Sequence, residues 1–178
     1  MNIKNIFLTG TIHIGKSTII TRIIDNFPNL RIGGLRTRPV YENNIKKGFM
    51  FESLDGTGKI FAHTDWKINN QFDIYKFDYS VFEKFGVLTL QQALLNSDLI
   101  LIDEIGMMEK QADMFCQMIV KCLNAPQLVL GAFQKRATWF LQILIERADT
   151  KIFLVSEDTR DSIPDRIISL IDQNLQKN

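Results

Sequence analysis

Short apolar runs alternate along this chain with segments whose apolar residues recur at helical spacing. The first run predicts a strand over Ile3–Thr9, and the periodic segment after it predicts a helix over Lys16–Phe27. Leu30–Arg36 predicts a second strand. Leu99–Asp103 is apolar at four consecutive positions, which is typical of a strand that is covered on both faces.

The C-terminal half continues the same alternation. It predicts helices over Gln111–Leu123, Thr138–Ala148 and Ile163–Leu175, and strands over Gln127–Phe133 and Lys151–Val155. Asp161 or Ser162 suits the N-cap of the last helix. Strands that alternate with helices are typical of βαβ units around a parallel sheet. We therefore expect an α/β fold of three layers with a largely parallel central sheet.

The segment from about residue 38 to 87 breaks this alternation. Gly48–Ser53 and Lys59–Thr64 flank a glycine-containing loop, which predicts an antiparallel hairpin. Ten of the 18 aromatic residues fall between Phe49 and Phe85. This density indicates an antiparallel insertion with its own small core, packed beside the sheet of a single domain that spans residues 1–178.

Composition excludes several classes of protein. The formal net charge is +1, whereas nucleic-acid-binding domains usually carry a strong basic excess, so a nucleic-acid partner is not expected. Two cysteines, Cys116 and Cys122, exclude a disulfide scaffold, and we expect packing thiols. No apolar run reaches about 18 residues, so we expect no membrane span. The apolar start lacks a signal-peptide cleavage site, which favours a cytoplasmic protein.

The segment after the first predicted strand carries a phosphate-binding pattern. Residues 10–17 match G-x-x-x-x-G-K-[ST], the P-loop or Walker A motif, between a predicted strand and a predicted helix. Backbone N–H groups in such a loop hold phosphate oxygens, while Lys16 would contact the β- and γ-phosphates and Ser17 would bind Mg²⁺. The expected nucleotide-binding residues are Gly10, Thr11, Ile12, His13, Ile14, Gly15, Lys16, Ser17, Thr18, Asp103 and Gly106. His13 stands where many P-loops carry glycine, and histidine tolerates a positive φ better than β-branched residues do.

Two adjacent carboxylates follow the strand at Leu99–Asp103. An apolar strand that ends in Asp is the Walker B pattern, so Asp103 is expected to hold Mg²⁺ together with Ser17. Glu104 is expected to be the general base or to orient the attacking water. The same stretch fits D-x-x-G up to Gly106, a GTPase signature, but the guanine-recognition pattern Asn/Thr-Lys-x-Asp does not occur late in the chain. A GTP-specific switch is therefore not expected.

The residues around Asp103 also suggest a family. The stretch Leu101-Ile-Asp-Glu-Ile-Gly-Met-Met-Glu109 resembles the extended Walker B of the THEP-type small nucleoside-triphosphatases, which have Asp-Glu-Ile-Gly-x-Met-Glu there. Four further stretches resemble that family in the same order: Gly33–Thr37, Lys47–Phe49 with Leu54–Gly56, Phe82–Val87 and Thr159–Asp161. The chain departs from the family at Ile12 and His13, where Pro and Gly stand, and at Thr159, where Asn stands.

The resemblance implies a P-loop fold and a Mg²⁺-dependent hydrolase of nucleoside triphosphates, ATP and GTP among them, with broad base tolerance. The residues themselves predict γ-phosphate hydrolysis with Lys16 and Glu104 as catalytic groups. A cationic finger would stabilise the transferring group, and Arg160 and Arg136 are the preferred candidates beside Arg36 and Arg38. We expect a monomer or a weak homo-oligomer.

Three other functions stay open at this point. The first is a nucleoside or nucleotide kinase on the same scaffold, with the aromatic insertion as acceptor pocket and residues 133–136 as a short lid. The second is an RNA-binding module, because Lys47–Phe51 partly matches the RNP1 pattern. The third is a nucleotide-driven switch that acts through a partner and binds tightly but turns over slowly.

Overall fold

One mixed sheet of nine strands runs through residues 2–176, which are the residues that the computed structural model describes. The strands are β1 (Asn5–Gly10), β2 (Ile32–Glu42), β3 (Ile45–Ser53), β4 (Gly58–His63), β5 (Gln71–Phe72), β6 (Tyr75–Phe77), β7 (Leu99–Ile105), β8 (Leu128–Gln134) and β9 (Thr150–Val155). Their order across the sheet is β5-β6-β4-β3-β2-β7-β8-β1-β9. The part from β2 to β9 is parallel, and the part from β2 to β5 is antiparallel.

Helices cover both faces of this sheet. They are α1 (Lys16–Asp25), α2 (Val87–Asn96), α3 (Asp113–Asn124), α4 (Thr138–Ile145) and α5 (Ile163–Leu175). On one face, Ile20 of α1 and Ile167 of α5 share a buried core with Leu8 of β1. On the other face, α2, α3 and α4 contribute to a core that includes Phe7 of β1 and Phe115 of α3. The expected three-layer α/β fold with a largely parallel sheet is confirmed.

The register of the parallel strands places their carboxyl ends at one edge of the sheet. Gly10 lies beside Gln134 of β8 on one side and beside Val155 of β9 on the other. In the next pair of strands, Arg36 of β2 lies beside Asp103 of β7. Because β8 runs between β1 and β7, the strand that leads into the P-loop and the strand that carries the two carboxylates are not neighbours. The carboxyl edge is where an open α/β sheet binds its ligands.

The insertion is antiparallel as expected, but the expectation of a separate small core is wrong. Strand β2 continues past the parallel part of the sheet, and β3 pairs with it from Leu35↔Ser53 outwards. The aromatic rings of the insertion therefore extend the core on the face of the sheet that α2 and α3 cover. Phe51, Phe61, Phe77 and Phe82 belong to the same buried cluster as Phe7. Continuous hydrogen bonding places the insertion within the sheet rather than beside it.

Most predicted elements are present, and one helix was missed. Helix α2 follows a π-helical turn at Val81–Gly86, and its apolar residues do not lie on one face, since Leu88 and Leu95 are exposed. An apolar residue on the outer face hides the helical period. The last helix has the predicted bounds with Ser162 at its N-cap, and the helix that starts at Thr138 ends earlier than predicted.

The two cysteines occupy helix α3 and pack against its neighbours. Cys122 is fully buried and Cys116 partly so. Burial raises the pKa of the Cys116 thiol to about 11 and that of Cys122 to about 12, so both are protonated at neutral pH. They are packing thiols, as the sequence predicted. None of the helices described between residues 2 and 176 has the length and apolar character needed to cross a membrane.

Candidate active site

The P-loop connects the end of β1 to the start of α1. A Cβ atom on Gly10 would lie 2.6 Å from the carbonyl oxygen of Val155, so only glycine fits where β1 passes β9. Gly15 has φ 105° and caps α1, a conformation that glycine adopts without strain. His13 has φ 64°, in the left-handed region. The loop thus gives His13 the positive φ that glycine has in other P-loops.

Lys16, the first residue of α1, is folded back into this loop. Its side chain is only 4% exposed. The Nζ donates to the carbonyl oxygens of Thr11 at 3.0 Å and Gly10 at 3.4 Å. It also lies 3.1 Å from Oε2 of Glu104, which arrives from the other side of β8. The charged ammonium group of Lys16 therefore lies between the P-loop and the carboxylate of Glu104, which is the group expected to orient water.

Ser17 and Asp103 form the second link between the loop and β7. The Ser17 hydroxyl donates to Oδ1 of Asp103 at 3.2 Å. Burial raises the pKa of Asp103 to about 6, although the hydrogen bond from Ser17 acts in the opposite direction. A hydroxyl and a carboxylate are hard oxygen ligands, and Mg²⁺ usually takes one or two such protein ligands and completes its shell with water and phosphate oxygens. The donor set of these two residues fits Mg²⁺.

Strand β7 becomes irregular at Glu104. The pairing with β8 shifts register between Asp103 and Ile105, so Glu104 is left out of the ladder. Its backbone carbonyl instead accepts a hydrogen bond from the Thr37 hydroxyl at 3.3 Å. The irregularity directs the Glu104 side chain towards Lys16, next to the expected position of the γ-phosphate. This is the geometry that a water-orienting carboxylate needs.

Gly106 is held by its neighbours on both sides of its peptide backbone. Its N–H donates to Oε2 of Glu109 at 2.9 Å, and its carbonyl accepts from Nε1 of Trp139 at 3.1 Å. The backbone N–H and carbonyl of Gly106 are thus both engaged within the protein, and its contact with a nucleotide stays a prediction. Burial raises the pKa of Glu109 to about 7, and N–H donors including that of Gly106 oppose the shift.

The candidate arginines have different partners in the structure. Arg36 stands beside Asp103 in the register of β2 and β7, and its charge lowers the pKa of that carboxyl. Arg38 is paired with Glu52 at 3.0 Å. The guanidinium of Arg136 lies 5.4 Å from the Phe72 ring centroid, and that of Arg160 lies 3.9 Å from Asp161. Within residues 2–176, neither of the last two bonds to a P-loop or Walker B side chain.

Three neighbours of the centre, Thr37, Glu109 and Trp139, were not assigned a role from the sequence, and Gln134 was assigned only to the short lid of the kinase alternative. Thr37, Gln134, Glu109 and Trp139 contact or border the segment 103–106. Gln134 is the polar residue that ends the apolar strand β8, and that ending is a signal that sequence reasoning could have used. No sequence pattern indicated a role for Trp139, because nothing in the pattern of α4 shows that its indole N–H reaches the carbonyl of Gly106, just after β7.

Four of the ten aromatic residues of the insertion are buried in packing contacts. Phe51, Phe61, Phe77 and Phe82 are each less than 5% exposed. Phe51 contacts Phe82 and Phe115 with ring centroids 5.0 and 5.5 Å apart. They do not form an open pocket for a ring-shaped acceptor. Phe51 of the RNP1-like stretch is likewise buried, so it cannot stack an RNA base.

Comparison with known proteins agrees with this geometry. A family model described as NTPase matches residues 5–168. The protein named nucleoside-triphosphatase THEP1 from Thermotoga sp. (strain RQ2) is 31% identical over 169 residues, which cover 95% of this chain and 96% of the relative.

Two solved structures have a similar fold. The crystal structure of THEP1 from the hyperthermophile Aquifex aeolicus superposes with a TM-score of 0.79 at 25% identity, covering 93% of this chain and 98% of that one. The solution structure of a human cancer-related nucleoside triphosphatase superposes with a TM-score of 0.80 at 23% identity, covering 96% of this chain and 98% of that one. At that identity the human structure supports the fold alone.

Proposed function

This chain belongs to the NTPase family, and on that premise we propose that it is a nucleoside-triphosphatase that removes the γ-phosphate at its P-loop. One observation carries the proposal. Two consecutive P-loop residues, Lys16 and Ser17, meet two consecutive carboxylates, Glu104 and Asp103, at 3.1 and 3.2 Å. The pairing unites a phosphate-binding lysine, a metal-binding pair and a water-orienting carboxylate at one edge of the sheet.

The residues divide the reaction between them. The N–H groups of the loop and Lys16 hold the β- and γ-phosphates, and Ser17 and Asp103 are the ligands we propose for Mg²⁺. Bound there, the ion would supply positive charge against the phosphate oxygens. Glu104 orients the attacking water and accepts its proton as the new O–P bond forms and the bond to the β-phosphate oxygen breaks. The products are a nucleoside diphosphate and phosphate.

Charge that develops on the transferring group calls for a further cation. Arg160 and Arg136 remain candidates for this cation because of their positions in the sequence. Arg36 is aligned with Asp103, and its charge lowers the pKa of that carboxyl, as does the charge of Arg38, which is itself paired with Glu52. We propose Arg36 as the arginine supplied by the chain itself.

The decisive experiment is a phosphate-release panel. ATP, GTP, CTP, UTP and the deoxy forms are each tested with Mg²⁺ and with EDTA. We expect phosphate release from triphosphates of several bases, because the chain lacks the Asn/Thr-Lys-x-Asp guanine-recognition pattern. We expect no phosphate release in EDTA. Loss of triphosphate that depends on an added nucleoside or nucleotide acceptor, without an equal release of free phosphate, would favour a kinase instead. Tight binding without release would favour a switch.

Two further properties belong to the same proposal. We expect a monomer or a weak homo-oligomer, which sedimentation at two protein concentrations tests. We also expect the protein to act in the cytoplasm, where nucleoside triphosphates are its substrates. Fractionation of cells that produce the native protein checks the second expectation.

A further inference from the structure

The residue that follows the catalytic segment is clamped from two directions. Glu109 accepts a hydrogen bond from the Gly106 N–H at 2.9 Å, and Trp139 donates to the Gly106 carbonyl at 3.1 Å. Glu109 lies three residues further along the chain, and Trp139 lies in α4, the helix that follows β8. A Cβ on Gly106 would also lie 2.9 Å from Nε2 of Gln134. Gly106 is therefore confined on three sides.

This confinement matters because Glu104 lacks the usual support of a strand residue. The register shift removes it from the ladder with β8, and the hydrogen bond from Thr37 to its carbonyl is long, at 3.3 Å. The backbone that aims the Glu104 carboxylate is thus fixed by the paired residues on either side of it, Asp103 and Ile105, and by the contacts of Gly106 beyond them. A displacement of about 1 Å at a catalytic group can lower the rate about 100-fold.

A purely local explanation covers only part of the clamp. A Glu that accepts from the N–H three residues earlier resembles half of a capping box, which stabilises a helix start. Capping boxes work at the surface, whereas the Glu109 residue is 3% exposed, and burying a carboxylate costs free energy that an exposed cap avoids. Capping also gives no reason for Trp139 to reach the Gly106 carbonyl from another helix.

We propose that Glu109 and Trp139 are positioning residues that set the direction of Glu104 through the backbone of Gly106. The proposal rests on the proposed hydrolase function, because Glu104 acts there on the attacking water. On this proposal neither residue acts on the nucleotide directly. Their effect is on the rate of the chemical step and not on the affinity for the triphosphate.

Three variants test the clamp, with one matched control. Trp139→Phe removes the indole donor and keeps the packing against Phe140. Glu109→Ala removes the acceptor, whereas Glu109→Gln keeps an oxygen that can accept from Gly106. The control is Trp66→Phe, at the other tryptophan of the chain, which faces His63 in the insertion. For each we measure kcat, KM, the Kd for a non-hydrolysable triphosphate analogue, and the exchange rate of the Gly106 amide hydrogen.

The expected pattern separates positioning from folding. Trp139→Phe and Glu109→Ala lower kcat about 10- to 100-fold, with Kd within about twofold of the parent, and they speed exchange at Gly106. Glu109→Gln and Trp66→Phe stay near the parent. A Trp139→Phe protein with parental kcat overturns the proposal, and so does a loss of affinity as large as the loss of kcat. If the parent releases no phosphate from any triphosphate, the proposed function fails, and unchanged Gly106 exchange in Trp139→Phe still overturns the clamp on its own.

Discussion

The ammonium group of Lys16 and the carboxylate of Glu104 form an ion pair in which Nζ lies 3.1 Å from Oε2. The lysine side chain is 4% exposed and the glutamate side chain 22%. Glu104 thus places its negative charge against the lysine that we propose to bind the γ-phosphate. An entering phosphate competes with Glu104 for Lys16 and leaves the carboxylate to contact water. The pair links substrate binding to the release of the proposed base.

Glu104→Gln should abolish most turnover without weakening nucleotide binding. The amide neither accepts a proton from water nor holds Lys16 with a charge, so we expect kcat to fall about 100- to 1,000-fold while the Kd stays the same or tightens. Steady-state phosphate release and titration with a non-hydrolysable analogue measure the two effects. A variant with parental kcat would remove Glu104 from the mechanism.

Lys16→Ala should weaken affinity and rate together. The side chain is the point charge at the loop, so its loss removes attraction for the phosphates in both the bound and the transition states. We expect a Kd at least about tenfold higher and a strongly reduced kcat. Lys135→Ala, at an exposed lysine just after β8, is the control. Parental affinity in Lys16→Ala would contradict the role of the loop.

His13→Val should strain the loop. The residue has φ 64°, which costs an L-residue about 1–2 kcal/mol and a β-branched residue more. We expect nucleotide affinity to fall about tenfold, whereas His13→Gly, which is free of that strain, should bind as well as the parent. Calorimetric titration of both variants checks this. Equal affinity of the valine and glycine variants would show that the loop does not need the positive φ.

The three arginine variants Arg36→Gln, Arg136→Gln and Arg160→Gln should differ in kcat. Because Arg36 is aligned with Asp103, its replacement should lower kcat at least about tenfold. Arg136 stacks on Phe72 and Arg160 lies near Asp161, so their replacement should change kcat little. Comparison at saturating substrate isolates the catalytic effect. A large loss in Arg160→Gln or Arg136→Gln would identify that residue as the finger.

Stability should fall as pH rises through the titration of Glu109. Its pKa is about 7 in the folded protein against an ordinary value of 4.5, so the folded state binds more protons between these values. The contribution of Glu109 to the free energy of unfolding is then largest below about pH 4.5 and decreases up to about pH 7, by as much as about 3 kcal/mol. Glu109→Gln removes the contribution.

Urea denaturation of parent and Glu109→Gln at several pH values between 4.5 and 8 measures that difference. The variant should gain stability relative to the parent as pH rises. Asp103, whose pKa is raised to about 6, titrates in both proteins and cancels in the comparison. A difference that does not change with pH would mean that Glu109 titrates at its ordinary pKa in the folded protein.

The sequence alone predicted the parts of this protein that local pattern encodes. Apolar period and position gave the strands at residues 5–10 and 99–105 and the helix between Ile163 and Leu175. The P-loop and the Asp103-Glu104 pair followed from motifs whose residues are adjacent in the chain. The predictions of these strands and of this helix succeed because helical and strand periods are properties of short segments.

Tertiary structure decided what depends on distant segments. Only the strand order places β8 between β1 and β7, and only the register shift at Glu104 directs its carboxylate to Lys16. The rings of the insertion joined the main core because β3 continues hydrogen bonding from β2, which no local period records. The bond from Trp139 to Gly106 was invisible for the same reason: its two ends come from different elements, and their meeting depends on how α4 packs against the sheet.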